Sequence, residues 1–387
     1  MPGRIVLFGA TGYTGRLTAE ALVARGARPV LAARSEARLR ELAADLGAAD
    51  LEQRTADVQR PDTVAALVER GDVLVSTVGP FTRWGDPAVQ AAIGAGAHYL
   101  DSTGESPFIR RVFERFGGAA ESAGCGLVTA FGYDWVPGNL AGALTLREAG
   151  SRTTLAAPSE ASPDGERGPS ERAVRVDIGY FVTGRAEMSG GTRASAIEAL
   201  LAPSYGWRGG RLITERGAAR MRHFDVEGRS RPAVSVGTSE AFALPRLHTD
   251  LREVNVYLGW VGGAARPMTL MSPGLELFRR VPIVGELPRT LGRQFVKGSS
   301  GGPDAAQRAA SGSYVAAAAY AANGSQLAEV ALSGVNGYDF TARILAWGAQ
   351  RAAESGLNGT GALGPVDAFG LDELESGAAE AGLERRT

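Results

Sequence analysis

The segment Gly9-Ala10-Thr11-Gly12-Tyr13-Thr14-Gly15 follows an apolar run, Arg4-Ile5-Val6-Leu7-Phe8, and opens into a helical pattern. Glycines in such a place let the backbone turn tightly and approach a pyrophosphate, whose charge then rests on free N–H groups at the helix start. Strand, glycine turn and helix, in that order, are the context the motif requires. Gly9, Thr11, Gly12, Tyr13, Thr14 and Gly15 are therefore the expected phosphate-side contacts. A second apolar run, Pro29-Val30-Leu31-Ala32-Ala33, ends at Arg34-Ser35, about 20 residues past the last glycine. An NAD site carries an acid there to hold the ribose 2′-hydroxyl, whereas an Arg pairs with the 2′-phosphate of NADP. The acid is missing and the Arg is present, so Arg34 and Ser35 point to NADP(H). Asp57, just after the third strand, either lies near the adenine or serves as a loop cap, and both readings stay open.

Hydride transfer from a nicotinamide also needs a group that donates or orders a proton. A Tyr with Lys four residues later is absent, because Lys297 is the single lysine and Arg293 stands four residues before it. The histidines His98, His223 and His248 and the lone Cys125 are not at zinc-ligand spacing, so no metal is expected. Lys297 sits in a glycine-rich stretch ill suited to Schiff-base chemistry. By position after the fifth and sixth strands, the candidates are Asp101, Tyr133 and Asp134. Tyr133 would donate a proton or orient a water, while Asp134 and Asp101 would hold the substrate or the carboxamide. The alternatives are that Asp134 caps the helix beginning near Pro137 and that Tyr133 packs. His98 reads as a structural histidine.

These residues need a scaffold, and the pattern supplies one. Leu17, Ala21 and Ala24 predict the apolar face of the first helix, with Gly26 ending it. Strands near Leu51–Thr55, Asp72–Val78, Ala97–Asp101 and Gly126–Ala130 alternate with helices around Glu36–Leu46, after Pro61, near Asp86–Ala95 and near Pro107–Ala123. That alternation predicts a parallel, doubly wound sheet.

Composition limits the remainder. With 387 residues, 44% hydrophobic and 21% charged, two globular domains are expected. A net charge of −1 offers no field for nucleic acid. One cysteine permits no internal disulfide, and no apolar leader opens the sequence, so a cytoplasmic setting is expected. Arginine has almost fully replaced lysine, which weakens any argument from a single Arg.

The loops Gly79-Pro80-Phe81-Thr82-Arg83-Trp84-Gly85, Asp101-Ser102-Thr103-Gly104-Glu105 and Gly132-Tyr133-Asp134-Trp135-Val136-Pro137-Gly138, with the Gly9–Gly15 turn, resemble the saccharopine dehydrogenase-like family. Within it the set is similar to the branch containing bacterial trans-acting enoyl reductases. The likeness extends more weakly through Ser189-Gly190-Gly191-Thr192 and Gly361–Gly370. It implies an N-terminal Rossmann domain, an inserted α+β domain with substrate contacts and often a dimer surface, and a C-terminal segment returning to the first domain. It also implies that Gly79, Pro80 and Phe81 lie beside the cofactor, and that the loops holding Thr103 and Tyr133 border the nicotinamide. All three loops leave carboxyl strand ends, where open parallel sheets bind ligands.

The expected fold is thus α/β: a doubly wound parallel sheet over 1–135, an inserted domain with a mixed or antiparallel sheet over 136–338, and a returning segment over 339–387. Strands are expected at Ala173–Thr183, Ala233–Gly237, Glu253–Trp260, Ser313–Ala321 and Gln326–Leu332, with Asn323-Gly324 turning a hairpin and a helix over Asp339–Ser355. Ala157–Ser170 reads as an exposed loop, Arg193–Leu201 as a helix, and Lys297–Pro303 as a flexible link. Pro267–Phe295, broken by prolines, cannot span a membrane as one helix and reads as a lid, a core segment or a membrane contact. The leading function is NADPH-dependent reduction of an activated C=C or C=O in an apolar, lipid- or polyketide-like substrate by a homodimer. Reduction of an amino-acid-derived imine and a non-catalytic NADP sensor or scaffold are the alternatives.

Overall fold

The computed structural model describes residues 3–155, 172–185, 204–260, 266, 269–270 and 301–386, with backbone alone for 151–155. The Ala157–Ser170 loop, the Ser189–Thr192 turn with its following helix, and nearly all of Pro267–Ser300 lie outside the described residues. The first sheet holds β1 (Ile5–Phe8), β2 (Val30–Ala33), β3 (Gln53–Thr55), β4 (Val73–Ser76), β5 (His98–Asp101) and β6 (Gly126–Val128). A two-residue strand from near the C-terminus, β15 (Gly361–Ala362), completes it in the order β15-β6-β5-β4-β1-β2-β3. Every pairing is parallel. The four residues of β1, β2 and β4 are all buried, as expected of strands covered on both faces. The chain winds outward from β1 to β3, then crosses to β4, so the topological switch lies between β1 and β4.

The first helix, Tyr13–Ala24, corrects one expectation. Its buried residues are Gly15, Thr18, Ala19 and Leu22, and the predicted Leu17, Ala21 and Ala24 are half-buried or exposed. Thr18 reads as polar in sequence, yet its hydroxyl donates to the Thr14 carbonyl at 2.9 Å and so buries without cost to a missing partner. The helix after β5 runs Ser106–Arg111, widens into a π-helical turn at Val112–Phe116 and resumes over Gly117–Ala123.

The second sheet is mixed, with β7 (Ala173–Gly184), β8 (Ser204–Arg208), β9 (Arg211–Glu215), β10 (Met221–Val226), β11 (Arg229–Ser235), β12 (Glu253–Leu258), β13 (Ser311–Ala321), β14 (Gln326–Gly334) and β16 (Leu383–Arg385). Strand β12 runs parallel to β7, whereas β7, β13, β14 and β16 are mutually antiparallel neighbours. In the β13 to β14 hairpin only Gly324 takes a positive φ, 86°, so the turn is not the pair of left-handed residues that Asn-Gly suggested. The Asn323 side chain instead accepts from the Ser325 N–H at 3.0 Å.

The helix Val136–Leu155 leads out of the first sheet and packs on β13, β14 and β7. The helix Gly337–Ser355 returns and packs on the helix Tyr13–Ala24 and on β4 and β5. The final segment then divides, because β15 pairs with β6 in the first sheet and β16 with β14 in the second. Among the described residues no helix is long and apolar enough to cross a membrane.

Candidate active site

The glycine turn lies at the switch between β1 and β4. The Gly9 and Ala10 N–H groups both donate to the Ala32 carbonyl, and Gly12 N–H to Gly9. Gly9 has φ 93°, and a Cβ there would meet Thr77 Oγ1 at 2.6 Å. At Gly15 a Cβ would lie 2.1 Å from the Gly9 carbonyl oxygen, so helix and turn touch backbone to backbone. The helix starts at Tyr13 with Gly12 as its cap residue and no side chain capping it, which leaves the first N–H groups directed at the turn's mouth. Thr11 and Thr14 are half-buried there. The Tyr13 hydroxyl donates to the Pro303 carbonyl and Arg308 donates to it at 3.3 Å. Gly302 sits so close that a Cβ would be 2.6 Å from the Tyr13 ring. The end of the segment expected to be a flexible link is therefore fixed on the glycine turn.

Arg34 is exposed and has no hydrogen-bond or ion-pair partner among the described residues. Ser35 caps the helix Glu36–Asp45, accepting from Arg38 N–H. Arg38 was missed in the sequence reading. Its guanidinium donates to the Thr11 carbonyl at 3.3 Å, which sets a cation at the edge of the turn. The four-residue spacing of Arg34 and Arg38 was the available signal, hidden by the abundance of arginine. Asp57 takes the loop-cap reading, since its carboxylate accepts from Gln59 N–H at 3.0 Å. Changing Arg34 to Ala is expected to weaken NADPH binding by on the order of 1–3 kcal/mol and leave NADH nearly unchanged. Calorimetric titration with both cofactors measures this, and equal losses would contradict it.

The loop after β4 is held by a residue not singled out in sequence. Glu105 is buried and accepts from Phe81 N–H at 2.8 Å, Thr82 N–H at 2.7 Å and Thr82 Oγ1 at 2.6 Å. That contact ties Gly79, Pro80 and Phe81 to the loop after β5. Thr103 is buried too, and its hydroxyl accepts from Glu105 N–H at 3.1 Å, which makes it a loop brace.

Two of the three catalytic candidates are engaged in hydrogen bonds that hold the scaffold. Asp101 is fully buried and accepts from Thr103 N–H and Ala130 N–H at 2.9 Å each and from Thr129 Oγ1 at 2.7 Å. Ala130 has φ 59°, a left-handed conformation that costs a non-glycine residue about 1–3 kcal/mol, and Asp101 holds it there. Burial pushes the Asp101 carboxyl up to about 6, against the pull of these donors. Tyr133 is buried, and its hydroxyl donates to the Phe181 carbonyl on β7 at 2.9 Å. Burial pushes its phenol far above the ordinary tyrosine range, so it stays un-ionised at neutral pH. Changing Tyr133 to Phe is expected to lower stability by about 0.5–1.5 kcal/mol and to alter turnover hardly at all. Denaturant unfolding and steady-state kinetics together check this, and a hundredfold fall in turnover would restore its catalytic role.

Asp134 differs. Its Oδ1 is buried without a hydrogen-bond partner, and the Gly104 backbone passes so near that a Cβ there would lie 2.8 Å from Oδ2. The helix-cap reading fails, because the Gly138 N–H is taken by the Tyr180 hydroxyl at 2.6 Å and Val136 N–H by the Gly132 carbonyl. Burial alone raises the Asp134 carboxyl to about 7. At neutral pH a large share of it carries a proton. His98 is the structural histidine expected: its Nδ1 accepts from Gly126 N–H at 3.1 Å and burial lowers its pKa.

A parallel sheet with a glycine turn at its switch point, an open helix start and two arginines beyond the second strand defines a dinucleotide-binding protein of the Rossmann class. Residues 5–125 match the family model of the saccharopine dehydrogenase NADP binding domain. Over 140 residues the chain is 44% identical to a trans-acting enoyl reductase of Mycobacterium tuberculosis, covering 35% of this chain and 34% of that one. Over 200 residues it is 38% identical to a second M. tuberculosis protein provisionally given the same name, covering 51% and 44%. The matches thus span about a third to under half of these relatives' lengths. Two solved structures share the fold: the Saccharomyces cerevisiae saccharopine dehydrogenase (L-Glu forming), at TM-score 0.59, 13% identity and 99% of both chains, and the Legionella pneumophila homospermidine synthase in complex with NAD, at TM-score 0.60, 9% identity and 100% and 91% of the two chains.

Proposed function

We propose that this chain is an NADPH-dependent reductase of an activated C=C in an apolar, acyl-type substrate. The observation that carries the reading is Asp134, a half-buried residue whose Oδ1 is itself buried without a hydrogen-bond partner, protonated in large part at neutral pH, at the carboxyl end of β6 beside the loop from β5. NADPH, when bound, supplies the hydride that forms the new C–H bond at the β-carbon. The residues that fit it are Gly9, Gly12 and Gly15 for backbone approach, the uncapped helix start for the pyrophosphate, and Arg34 with Arg38 for the 2′-phosphate. As the C=C electron pair withdraws toward the activating carbonyl, Asp134 Oδ–H delivers its proton to the α-carbon and takes another from solvent afterwards. One C=C, one hydride and one proton give the saturated product and NADP+.

The relatives named trans-acting enoyl reductase support the same substrate class. An imine carrying an amino-acid carboxylate fits less well. A guanidinium placed to hold that carboxylate near Asp134 would lower its pKa, and among the described residues none is recorded acting on it, while burial moves it up. The test is NADPH oxidation against 2-enoyl thioesters, enones, ketones and cyclic imines, with product mass. Turnover of imines alone, or of none of these, would sink the reading.

A further inference from the structure

The first residue of the phosphate-side helix is held from far along the chain. Tyr13 opens the helix Tyr13–Ala24, so its backbone N–H is among the donors left for the pyrophosphate. Its side chain reaches a segment 290 residues away, where the hydroxyl donates to the Pro303 carbonyl. Arg308 Nη1 closes a triangle, donating to the same carbonyl at 3.1 Å and to the Tyr13 oxygen at 3.3 Å. On the other side of that guanidinium, Nε donates to Asp339 at 2.6 Å. The Gly302 backbone lies against the Tyr13 ring, and Tyr338 meets the ring edge-on with centroids 5.2 Å apart at 87°.

The seat is braced from the second sheet. Asp304 caps the helix Ala305–Ala309 through a capping box with Gln307, which fixes the turn that carries Arg308. At the start of β13, Ser311 Oγ donates to the Arg308 carbonyl at 3.2 Å and accepts from Asn336 Nδ2 at 2.5 Å. Asn336 in turn caps the helix that carries Tyr338 and Asp339, accepting from Tyr338 N–H at 2.8 Å. The Arg308 side chain is only 14% exposed, and its planar fork spans three acceptors that a single ammonium cannot reach together. A helix start ordered before the cofactor arrives has less freedom to lose on binding.

We propose that Tyr13 and Arg308 are positioning residues for the dinucleotide: the segment entering β13 sets the first turn of the phosphate-side helix, and affinity for NADPH and NADH alike depends on it. The proposal rests on the cofactor binding at the glycine turn and not on the reduction assigned to Asp134. Its test is therefore binding alone, by fluorescence titration and stopped-flow displacement on full-length protein. Tyr13→Phe keeps the ring in its seat and removes only the hydroxyl. Kd is expected to rise about three- to tenfold, the net worth of one ordinary hydrogen bond, by the same factor for both cofactors and chiefly through faster dissociation. Arg308→Lys keeps the charge but cannot span the seat, so the same equal loss is expected, and it serves if Tyr13→Phe does not fold. A lower melting temperature with unchanged Kd would make the seat a structural contact alone, which overturns the proposal and leaves the reductase reading standing. A loss confined to NADPH overturns it as well, because the seat would then act through the 2′-phosphate. Normal binding by Arg308→Lys beside weakened binding by Tyr13→Phe would overturn the role given to Arg308.

Discussion

Replacing Asp134 by Asn should lower kcat by about 10²–10⁴-fold, the usual contribution of a positioned general acid, while NADPH affinity stays intact. Asn has nearly the same shape but no transferable proton. The pH profile carries the sign. Burial raises the carboxyl to about 7, so the donor is loaded below that value and kcat falls as the pH rises through it. Stability follows the same direction: a carboxyl whose folded midpoint lies above its unfolded one contributes fully at low pH and loses that contribution as the pH rises through about 7. The Asn variant should therefore melt at least as high as the parent at pH 8. Stopped-flow kinetics and thermal melts over pH 5–9 measure both, and undiminished turnover would leave the proton to water or substrate.

Changing Gly15 to Ala should abolish measurable NADPH binding and destabilise the protein by several kcal/mol. The new Cβ would fall 2.1 Å from the Gly9 carbonyl oxygen and 2.8 Å from Thr77 Oγ1. A flexible side chain gives way to such a contact at low cost, but here the obstacle is backbone at the tightest point of the turn. Separating helix from turn moves the N–H groups away from the pyrophosphate, and the loss extends past stability to binding. Fluorescence titration with NADPH on folded variant protein checks this, and an affinity within threefold of the parent would contradict it.

What could be read from sequence was mostly local. The Gly9–Gly15 turn was legible because strand, glycines and helix are contiguous, and the first sheet because strands buried on both faces read as short apolar runs. The face of the first helix was misread because small apolar residues lie all round it, and a self-satisfied Thr18 counts as polar on any hydropathy pattern. Asp101 and Tyr133 have the strand-end position of catalytic groups, but the partners that engage them, Ala130 and Phe181, lie well apart from them in sequence. The seat of Tyr13 was hidden in the same way. Pro303 lies 290 residues from it, and nothing in the run Gly301-Gly302-Pro303-Asp304 distinguishes a braced segment from the flexible link that its glycines suggest.

The divided C-terminal segment bears on how the molecule can be cut. A fragment ending before Gly361 would strip β15 from β6 and leave an unpaired strand edge on the nucleotide sheet, the kind of edge that recruits other chains. The same cut would remove β16 from β14. The first sheet is thus finished by a strand that follows all of the second but β16, and the second by a strand that follows all of the first. The Rossmann half is a domain in shape but not an excisable piece of chain, and grafting it elsewhere would require carrying the last strands along on a linker.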